Sequence, residues 1–406
     1  MKIKTAELHP ATIKYLNLGH FWVTEDSYTK RFPKDADLIL GIDSKSKKEV
    51  GLFIPDFQHK NVKARFFSKD KNIDVLAEIK KRVDQALLKR VGLNLFSERE
   101  NVLLINGESD LLPGLLVMCL KDQILIQYYA LYWTKFESTV IEALKAALTQ
   151  HFPNLSILDY WIQERTFDQK KSIRSLNNTT MPEFTLKEFD INYKIRINAY
   201  YDYGIYTDMS AIRKQILPYL KNKKKALNLF CYTGAYSLYA LKNKVTEVTS
   251  VDLSDKYLQW LNENILLNSD LDINQHRSIN NSVDKALDKF LGDGEQFDFI
   301  LSDPPSSSSD GDKRENAFSA YEKTLPKLLK LLTKNGSLVV FLNTHQISWN
   351  KFEEKLKNII DQSEFKNQVI IGKRFKLAED YLPTKGFHEG DYLKGFLIEF
   401  KHKENL

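Results

Sequence analysis

The chain is expected to fold as an α/β protein. An open parallel sheet with helices on both faces forms the C-terminal half, after a small β-rich module and an α+β block. Three observations carry this. Beyond about residue 190, apolar strands alternate with amphipathic helices in the order "KALNLF", helix, "EVTSVDL", helix, "FDFILSD", helix, "GSLVVFLN", helix, with "GFLIEF" as the last clear strand. Such alternation builds a parallel sheet covered on both faces. Residues 1 to about 75 instead hold short apolar stretches, such as "DLILGID" and "EVGLFIPDF", with turn residues between them. From about residue 76 the apolar period becomes three or four, with Ile73, Leu76, Ile79, Val83 and Leu87 marking a helix in "NIDVLAEIKKRVDQALLKRVGL".

The blocks follow in order. Residues 1–75 read as the β-rich module. Residues 76–185 read as the α+β block, with strands in "NVLLING", "GLLVMCL" and "QILIQYYALYW" and a second helix in "FESTVIEALKAALTQHF". The polar stretch "DQKKSIRSLNNTTMPEF" (168–184) is the best linker candidate, and residues 186–406 form the parallel-sheet domain. The only low-complexity tract is the run of serines Ser306, Ser307, Ser308 and Ser309.

Composition bounds the function. With 406 residues, 43% of them hydrophobic, the chain can bury more than one core. No run approaches the roughly 18 apolar residues that a membrane helix requires. The N-terminus "MKIKTAELHPATIKY" lacks the apolar centre of a secretory signal. Two cysteines, Cys119 and Cys231, make neither a disulfide framework nor a metal cluster. A cytoplasmic protein is expected, without metal or membrane partner. The net charge of +6 is compatible with nucleic acid. Basic clusters stand at "KNKKK" (221–225) and "QHKNVKARFFSKDK" (58–71), for which plain solvated lysines are the alternative.

In the C-terminal domain the first strand runs into "NLFCYTGAYSLYAL", and Gly234 stands where strand becomes helix, suited to close approach of a ligand to backbone. The pattern is neither G-x-G-x-x-G nor a P-loop, so phosphate cradling is not indicated. The second strand ends at Asp252, an acid able to accept hydrogen bonds from ribose hydroxyls. The alternative is a helix cap, a role that Ser254 or Asp255 fills better. A nucleoside pocket without a phosphate loop suggests S-adenosylmethionine, and a Rossmann oxidoreductase is the alternative on these residues alone. The fourth strand delivers Asp303 to the same edge, followed by Pro304 and Pro305, which lack amide hydrogens and leave neighbouring carbonyls free to meet a base. The sulfonium is already activated, so orienting the nucleophile is the main catalytic task. A strand terminator is the alternative reading of D-P-P.

The segments "NLFCYTGAYSLYAL", "VDLSDKYLQWLNENILLN", "FDFILSDPP" and "FHEGDYLKGFLIEF" together resemble class I S-adenosylmethionine-dependent methyltransferases of 23S ribosomal RNA. The similar families are the PUA-containing cytosine-5 enzymes and the related guanine-N7 enzymes. Upstream, "GHFWVTED" is similar to a PUA-like opening, "INGESDLLPGLLV" to the middle-domain signature, and "YGIYTDMSAIR" to the segment before the first methyltransferase strand. The resemblance covers nearly the whole chain. It implies a PUA-like RNA-binding domain over 1–75, a middle domain over 76–185, and a Rossmann-like seven-stranded methyltransferase sheet over 186–406. It implies S-adenosylmethionine as cofactor and 23S ribosomal RNA as partner, and a homodimer is an assembly open to it.

Carried over residue by residue, the resemblance implies cofactor contacts from Asp208, from Asn228 and Phe230 on the first strand, and from Tyr232, Thr233 and Gly234 on the turn. Asp252 and Leu253 end the second strand, Asn281 and Ser282 follow the third, and Asp303 completes the set. It implies a base-orienting and catalytic role for Asp303, Pro304, Pro305 and Asn343.

Departures matter. The cytosine-5 enzymes carry a cysteine at the end of the fifth strand, needed because carbon-5 is a poor nucleophile until a covalent adduct forms. Here "VVFLNTHQ" places Asn343 there, as in the guanine-N7 relatives, and neither Cys119 nor Cys231 stands in for it. Methylation of a base nitrogen is therefore preferred. The acid expected after the third strand is replaced near Ser282, with Asn280 or Asn281 as substitutes, and Met209-Ser210 replaces a Gln-Arg pair, leaving Asp208 and Arg213. His345 is a candidate base. Lys313 and Arg314, on a loose serine-rich lid, are candidate phosphate contacts with a solvated face as the alternative; Lys63 and Arg65 are further candidates, and Phe21 and Trp22 are stacking candidates for which a place in the core is the preferred reading. The leading reading is an RNA methyltransferase. The alternatives are a non-catalytic RNA-binding or assembly factor that retains the fold, a cytosine-5 rRNA methyltransferase and a small-molecule methyltransferase.

Overall fold

The computed structural model describes residues 1–30, 32–33, 35–57, 59, 61–165, 172–180, 182–197, 203–305, 307–310 and 313–401. The chain divides into two compact units. The first comprises 1–187, 196–203 and 379–390; the second comprises 188–195, 204–378 and 391–406.

The first unit opens with β1 (Ile3–Leu8), α1 (Pro10–Asn17), β2 (Trp22–Thr24), β3 (Leu38–Asp43), β4 (Glu49–Pro55) and β5 (Val62–Ser68). These strands make one sheet in the order β1-β3-β4-β5-β2. Helix α2 (Val75–Leu93) starts where the Asp74 carboxylate accepts the amides of Leu76 and Ala77, and it stops at Asn94 in the left-handed region. There follow β6 (Asn101–Asn106), β7 (Leu115–Leu120), β8 (Gln123–Tyr128), α3 (Glu137–His151), β9 (Asp159–Glu164) and β10 (Ser172–Ser175), in a second sheet ordered β10-β9-β8-β7-β6. The stretch expected as a linker thus contains an edge strand, antiparallel to β9; residues 168–171 and 181 of that stretch lie outside the described residues. One apolar cluster joins Leu38, Leu52, Ile54 and Phe67 of the first block to Val83, Leu87, Val117 and Leu144 of the second. The expected boundary near residue 75 therefore runs through a shared core.

The "GESDLLPG" signature of this unit has a structural job. Glu108 accepts the Trp22 indole N–H at 2.7 Å and Arg65 Nη1 at 2.5 Å, and Arg65 Nε reaches Asp56 at 2.9 Å. Asp110 pairs with Arg90 and accepts the Asn106 amide at 2.7 Å. Phe21 is buried, in line with the preferred core reading, whereas the phosphate contact expected of Arg65 is corrected: it is buried between two carboxylates. Trp22 is half-buried and spends its N–H on Glu108. Half-buried Lys63 donates to the His59 carbonyl at 3.2 Å.

Strands β11 (Glu183–Glu188) and β12 (Ile191–Arg196) lie on the chain path between the units. The second unit continues with α4 (Ser210–Leu220), β13 (Lys225–Leu229), α5 (Ala235–Lys242), β14 (Glu247–Asp252), α6 (Asp255–Leu266), β15 (His276–Asn280), α7 (Val283–Gly292) and β16 (Phe297–Ser302). After β17 (Ser307–Asp310) and β18 (Lys313–Asn316) come α8 (Ala317–Leu331), β19 (Leu332–Asn343), α9 (Trp349–Asp361), β20 (Val369–Phe375) and β21 (Leu393–Phe400). Seven strands form one sheet ordered β15-β14-β13-β16-β19-β21-β20. Its first five members are parallel, and β21 runs antiparallel to both β19 and β20. The chain thus starts in the middle of the sheet, builds outward to β15, then returns to lay β16 on the other side of β13. The serine-rich segment, expected as a loose lid, is an antiparallel ribbon of β17 on β18; Ser306 and the side chains of Lys313 and Arg314 lie outside the described residues.

Among the described residues, no helix is long and apolar enough to cross a membrane.

Candidate active site

Reversal of strand order between β13 and β16 opens a crevice at the carboxyl ends of the strands, where α/β sheets bind ligands. A cavity of about 1070 Å³ occupies it, lined by residues of the second unit. Register explains which side chains meet there. Leu229, the last residue of β13, stands level with Val251 on one side and Ser302 on the other, so the turn after β13, Asp252 and Asp303 emerge together. Asn343 ends β19 and also lines the cavity.

The turn after β13 is a backbone device. Phe230, Tyr232 and Gly234 all have positive φ, at 56°, 52° and 84°. The Cys231 amide donates to the Val251 carbonyl at 3.1 Å. The Tyr232 amide donates to Asp252 Oδ2 and the Ser254 amide to Oδ1, each at 2.9 Å. Asp252 is thus a latch between two turns, and a carboxylate with about four lone-pair sites still has two to offer a ligand diol. Burial pushes its pKa up, against those two hydrogen bonds. Helix α6 is capped by Ser254, whose Oγ accepts the Tyr257 amide, so Asp252 is free of that duty. Exposed Leu253 lines the cavity beside it.

Two expected contacts do not reach the cavity. Gly234 is not among the lining residues; a Cβ there would overlap the Leu261 side chain of α6, and this together with its positive φ accounts for a glycine at the position. Thr233 is buried, with its hydroxyl donating to the Gly204 carbonyl at 2.6 Å and its own carbonyl accepting from Asn264. The turn reaches the cleft through Phe230, Cys231 and Tyr232 instead.

After β15, the Asn281 amide donates to the Asp252 carbonyl at 3.2 Å, and Asn281 Oδ1 accepts the Ser282 amide at 2.9 Å. That leaves the Asn281 NH2 to donate into the cleft. Ser282 caps α7 through Lys285, and Asn280 is spent on the Leu253 carbonyl. Asn228 is buried on β13; its amide N donates to Ser237 Oγ at 2.9 Å, and its Oδ1 has no partner although it lines the cavity. A buried acceptor left open costs about 1–3 kcal/mol unless something fills it.

The other wall carries the acids. Tyr321 of α8 bridges the carbonyls of Ser302 and Phe341 at 3.3 and 2.7 Å, fixing the ends of β16 and β19 beneath the Asp-Pro-Pro turn. Asp303 accepts no hydrogen bond from a described residue; burial and the charge of Asp208 push its pKa up to about 7. Asp208 is held by Tyr392 Oη at 2.7 Å. Pro304 is buried and Pro305 exposed, both on the cavity wall. Cys231 lines the cavity, but burial and Asp252 raise its pKa well above the ordinary thiol range, which removes the thiolate a covalent mechanism needs. His345 is exposed and is not among the lining residues, so the structure gives it no role as a base there.

Sequence reasoning missed Tyr236 and Tyr392, and it left Arg213 without a role. Tyr236 lines the cavity with a buried hydroxyl that has no partner; its position two residues past Gly234, on the first turn of α5, was the available signal. Arg213 is buried and bidentate on Glu188, at 2.6 and 3.0 Å.

Comparisons with known proteins agree with this architecture. A solved methyltransferase candidate complexed with SAH superposes with a TM-score of 0.84 at 20% identity, covering 97% of this chain and 99% of that one. The chain shares the fold of that protein. A Streptococcus mutans structure described as a candidate SAM-dependent methyltransferase gives a TM-score of 0.83 over the same shares. The family model described as "Conserved hypothetical protein 95" matches residues 209–367, within the second unit. In sequence, the chain is 26% identical over 405 residues to a Deinococcus radiodurans protein named "Ribosomal RNA large subunit methyltransferase", covering 98% of this chain and 96% of that protein. It is 27% identical over 355 residues to an Aliivibrio fischeri "Ribosomal RNA large subunit methyltransferase I", covering 85% and 86%.

Proposed function

We propose that the chain transfers a methyl group from S-adenosylmethionine to a base nitrogen of large-subunit ribosomal RNA, in the cytoplasm. The single observation that carries the reading is the convergence of the post-β13 turn, Asp252, Asp303 and Asn343 on one cleft at the switch point of a parallel sheet. In this reading Asp252 accepts the ribose hydroxyls, Asn228 Oδ1 accepts the α-ammonium of the methionyl part, and the Asn281 amide meets adenine. Asp303, Pro304, Pro305 and Asn343 line the place where a flat base would lie. The sequence relatives are named as large-subunit rRNA methyltransferases, which supports RNA as the substrate.

The choice of a nitrogen rests on the lack of a usable nucleophile. Asn343 ends β19, and the thiol of Cys231 is held protonated. A ring nitrogen attacks with its own lone pair and needs no adduct. Residues 1–75 are proposed as a PUA-like RNA-binding domain and 76–185 as the middle domain, with the methyltransferase domain over 186–406 and a homodimer as the assembly.

The test is methyl transfer from isotopically labelled S-adenosylmethionine to ribosomal RNA prepared from a strain lacking the gene, with the modified nucleotide mapped by mass spectrometry. Label on a base nitrogen supports the reading. Label on cytosine carbon-5 defeats the assignment of the atom. Cofactor binding with no transfer to any ribosomal RNA favours the assembly-factor alternative.

A further inference from the structure

Methyl transfer changes the charge of what the cleft holds. The S–CH3 bond breaks with its electron pair staying on sulfur, and a new N–CH3 bond forms from the lone pair of the base. The cation on sulfur disappears, and the positive charge passes to the methylated base or leaves it as a proton. The donor is therefore a sulfonium and its product a neutral thioether, two molecules of nearly the same shape.

The cleft has the means to tell them apart. Asp208 and Asp303 both line it, and Tyr392 Oη holds Asp208 by donating at 2.7 Å. Among the described residues, two cations stand nearby. Arg213 on α4 is consumed by Glu188, the Tyr206 carbonyl and Ser210. Lys323 on α8 lines the cleft, but the shift of Asp303 is set by burial and Asp208. Two phenols among the described residues also face Asp303: Tyr236 of α5, and Tyr321 of α8, whose hydroxyl is already bonded to two carbonyls. An independent sign of a ligand comes from the opposite wall, where Asn228 Oδ1 is buried, unpartnered and open to the same cavity.

We propose that the Asp208–Asp303 pair is the counter-charge of the methylsulfonium, so that the protein binds the charged donor in preference to the neutral product and releases the product once the charge has left sulfur. The proposal rests on the methyltransferase reading above. A cation beside a carboxyl favours its ionised form. Donor binding therefore expels the proton from Asp303, and donor affinity rises with pH across the range in which that carboxyl ionises.

Isothermal calorimetry on the full chain tests this with S-adenosylmethionine and S-adenosylhomocysteine in parallel titrations from about pH 6 to about pH 8. The donor should bind roughly five- to tenfold more tightly at the upper pH, with the product changing less than about twofold. The α-amino groups of both ligands titrate in any protein, so the Asp303→Asn variant isolates the carboxyl: its donor-to-product affinity ratio should be flat across the range. Asp208→Asn should move the midpoint of the wild-type rise to lower pH, because Asp303 would ionise more easily. A wild-type ratio that does not change with pH, or a rise that persists in Asp303→Asn, overturns the counter-charge. Binding of neither ligand at any pH overturns the methyltransferase reading itself. Circular dichroism of both variants separates loss of binding from loss of fold.

Discussion

Replacing Asp303 by Asn should stabilise the ligand-free protein, and only above a certain pH. The Asp303 carboxyl has a pKa of about 7 because it is buried and faces the charge of Asp208, whereas an unfolded aspartate titrates near ~3.9. The folded pKa is the higher one. The carboxyl therefore favours folding fully below about pH 4, and that contribution is lost as the pH rises through about 7. About three units at roughly 1.4 kcal/mol each give an upper bound of about 4 kcal/mol. The cleft is open to solvent, and screening of that order leaves about 2 kcal/mol. Asparagine carries no charge, so the Asp303→Asn protein should gain on wild type progressively between about pH 4 and pH 7 and hold that gain above. For a unit of this size, scanning calorimetry should read a Tm gain of about 4–8 °C near pH 8, shrinking towards zero near pH 4. A difference of constant size across that range would mean that the stabilisation has another cause, and that Asp303 is as well solvated as any surface acid.

Other substitutions test the remaining parts of the argument. Gly234→Ala should cost about 2–4 kcal/mol in urea unfolding, from positive φ and overlap with Leu261, and adding Leu261→Ala should recover part of it if packing is the cause. Arg213→Met strands Glu188 in the interior and should cost about 3–5 kcal/mol, with the Glu188→Gln/Arg213→Met double variant more stable than the single one. Asn228→Ala removes the open acceptor and should weaken S-adenosylmethionine binding by about tenfold in calorimetry. Arg65→Met should lower the Tm of the chain through its stranded partners Asp56 and Glu108, with any folded fraction keeping wild-type affinity for RNA in filter binding.

What could be read from the residues alone were the strand ends. Asp252 and Asp303 each close an apolar run at a turn, and in a parallel sheet such positions share one edge whatever the intervening helices do. The same logic held for Asn343. It failed where a residue answers to a partner far along the chain. Gly234 looks like a ligand-facing glycine, but the side chain that forbids a Cβ there belongs to Leu261 on the next helix. Tyr392 reaches Asp208 across 184 residues of sequence, because the antiparallel β21 inserts beside β19 and brings its entry turn to the cleft. No local pattern reports such a contact. The linker expectation failed for a related reason: four residues, three of them polar, suffice for an edge strand when an existing strand, here β9, supplies the hydrogen bonds.

The first unit carries the sharper lesson about motifs. "GESDLLPG" resembles a middle-domain signature, while basic and aromatic residues far from it in the sequence, in the first block, are the candidates for RNA contact. In the fold, Glu108 is taken up by Trp22 and Arg65, and Asp110 by Arg90. A charge paired inside a protein has no field left for phosphate, since desolvating it has already been offset by its partner. Motif retention in this unit therefore argues for a retained core. On the proposed RNA reading, affinity has to come from cations that stay in water, where counterions can be released, and so it should fall with salt while the stability of the Arg65 network changes little.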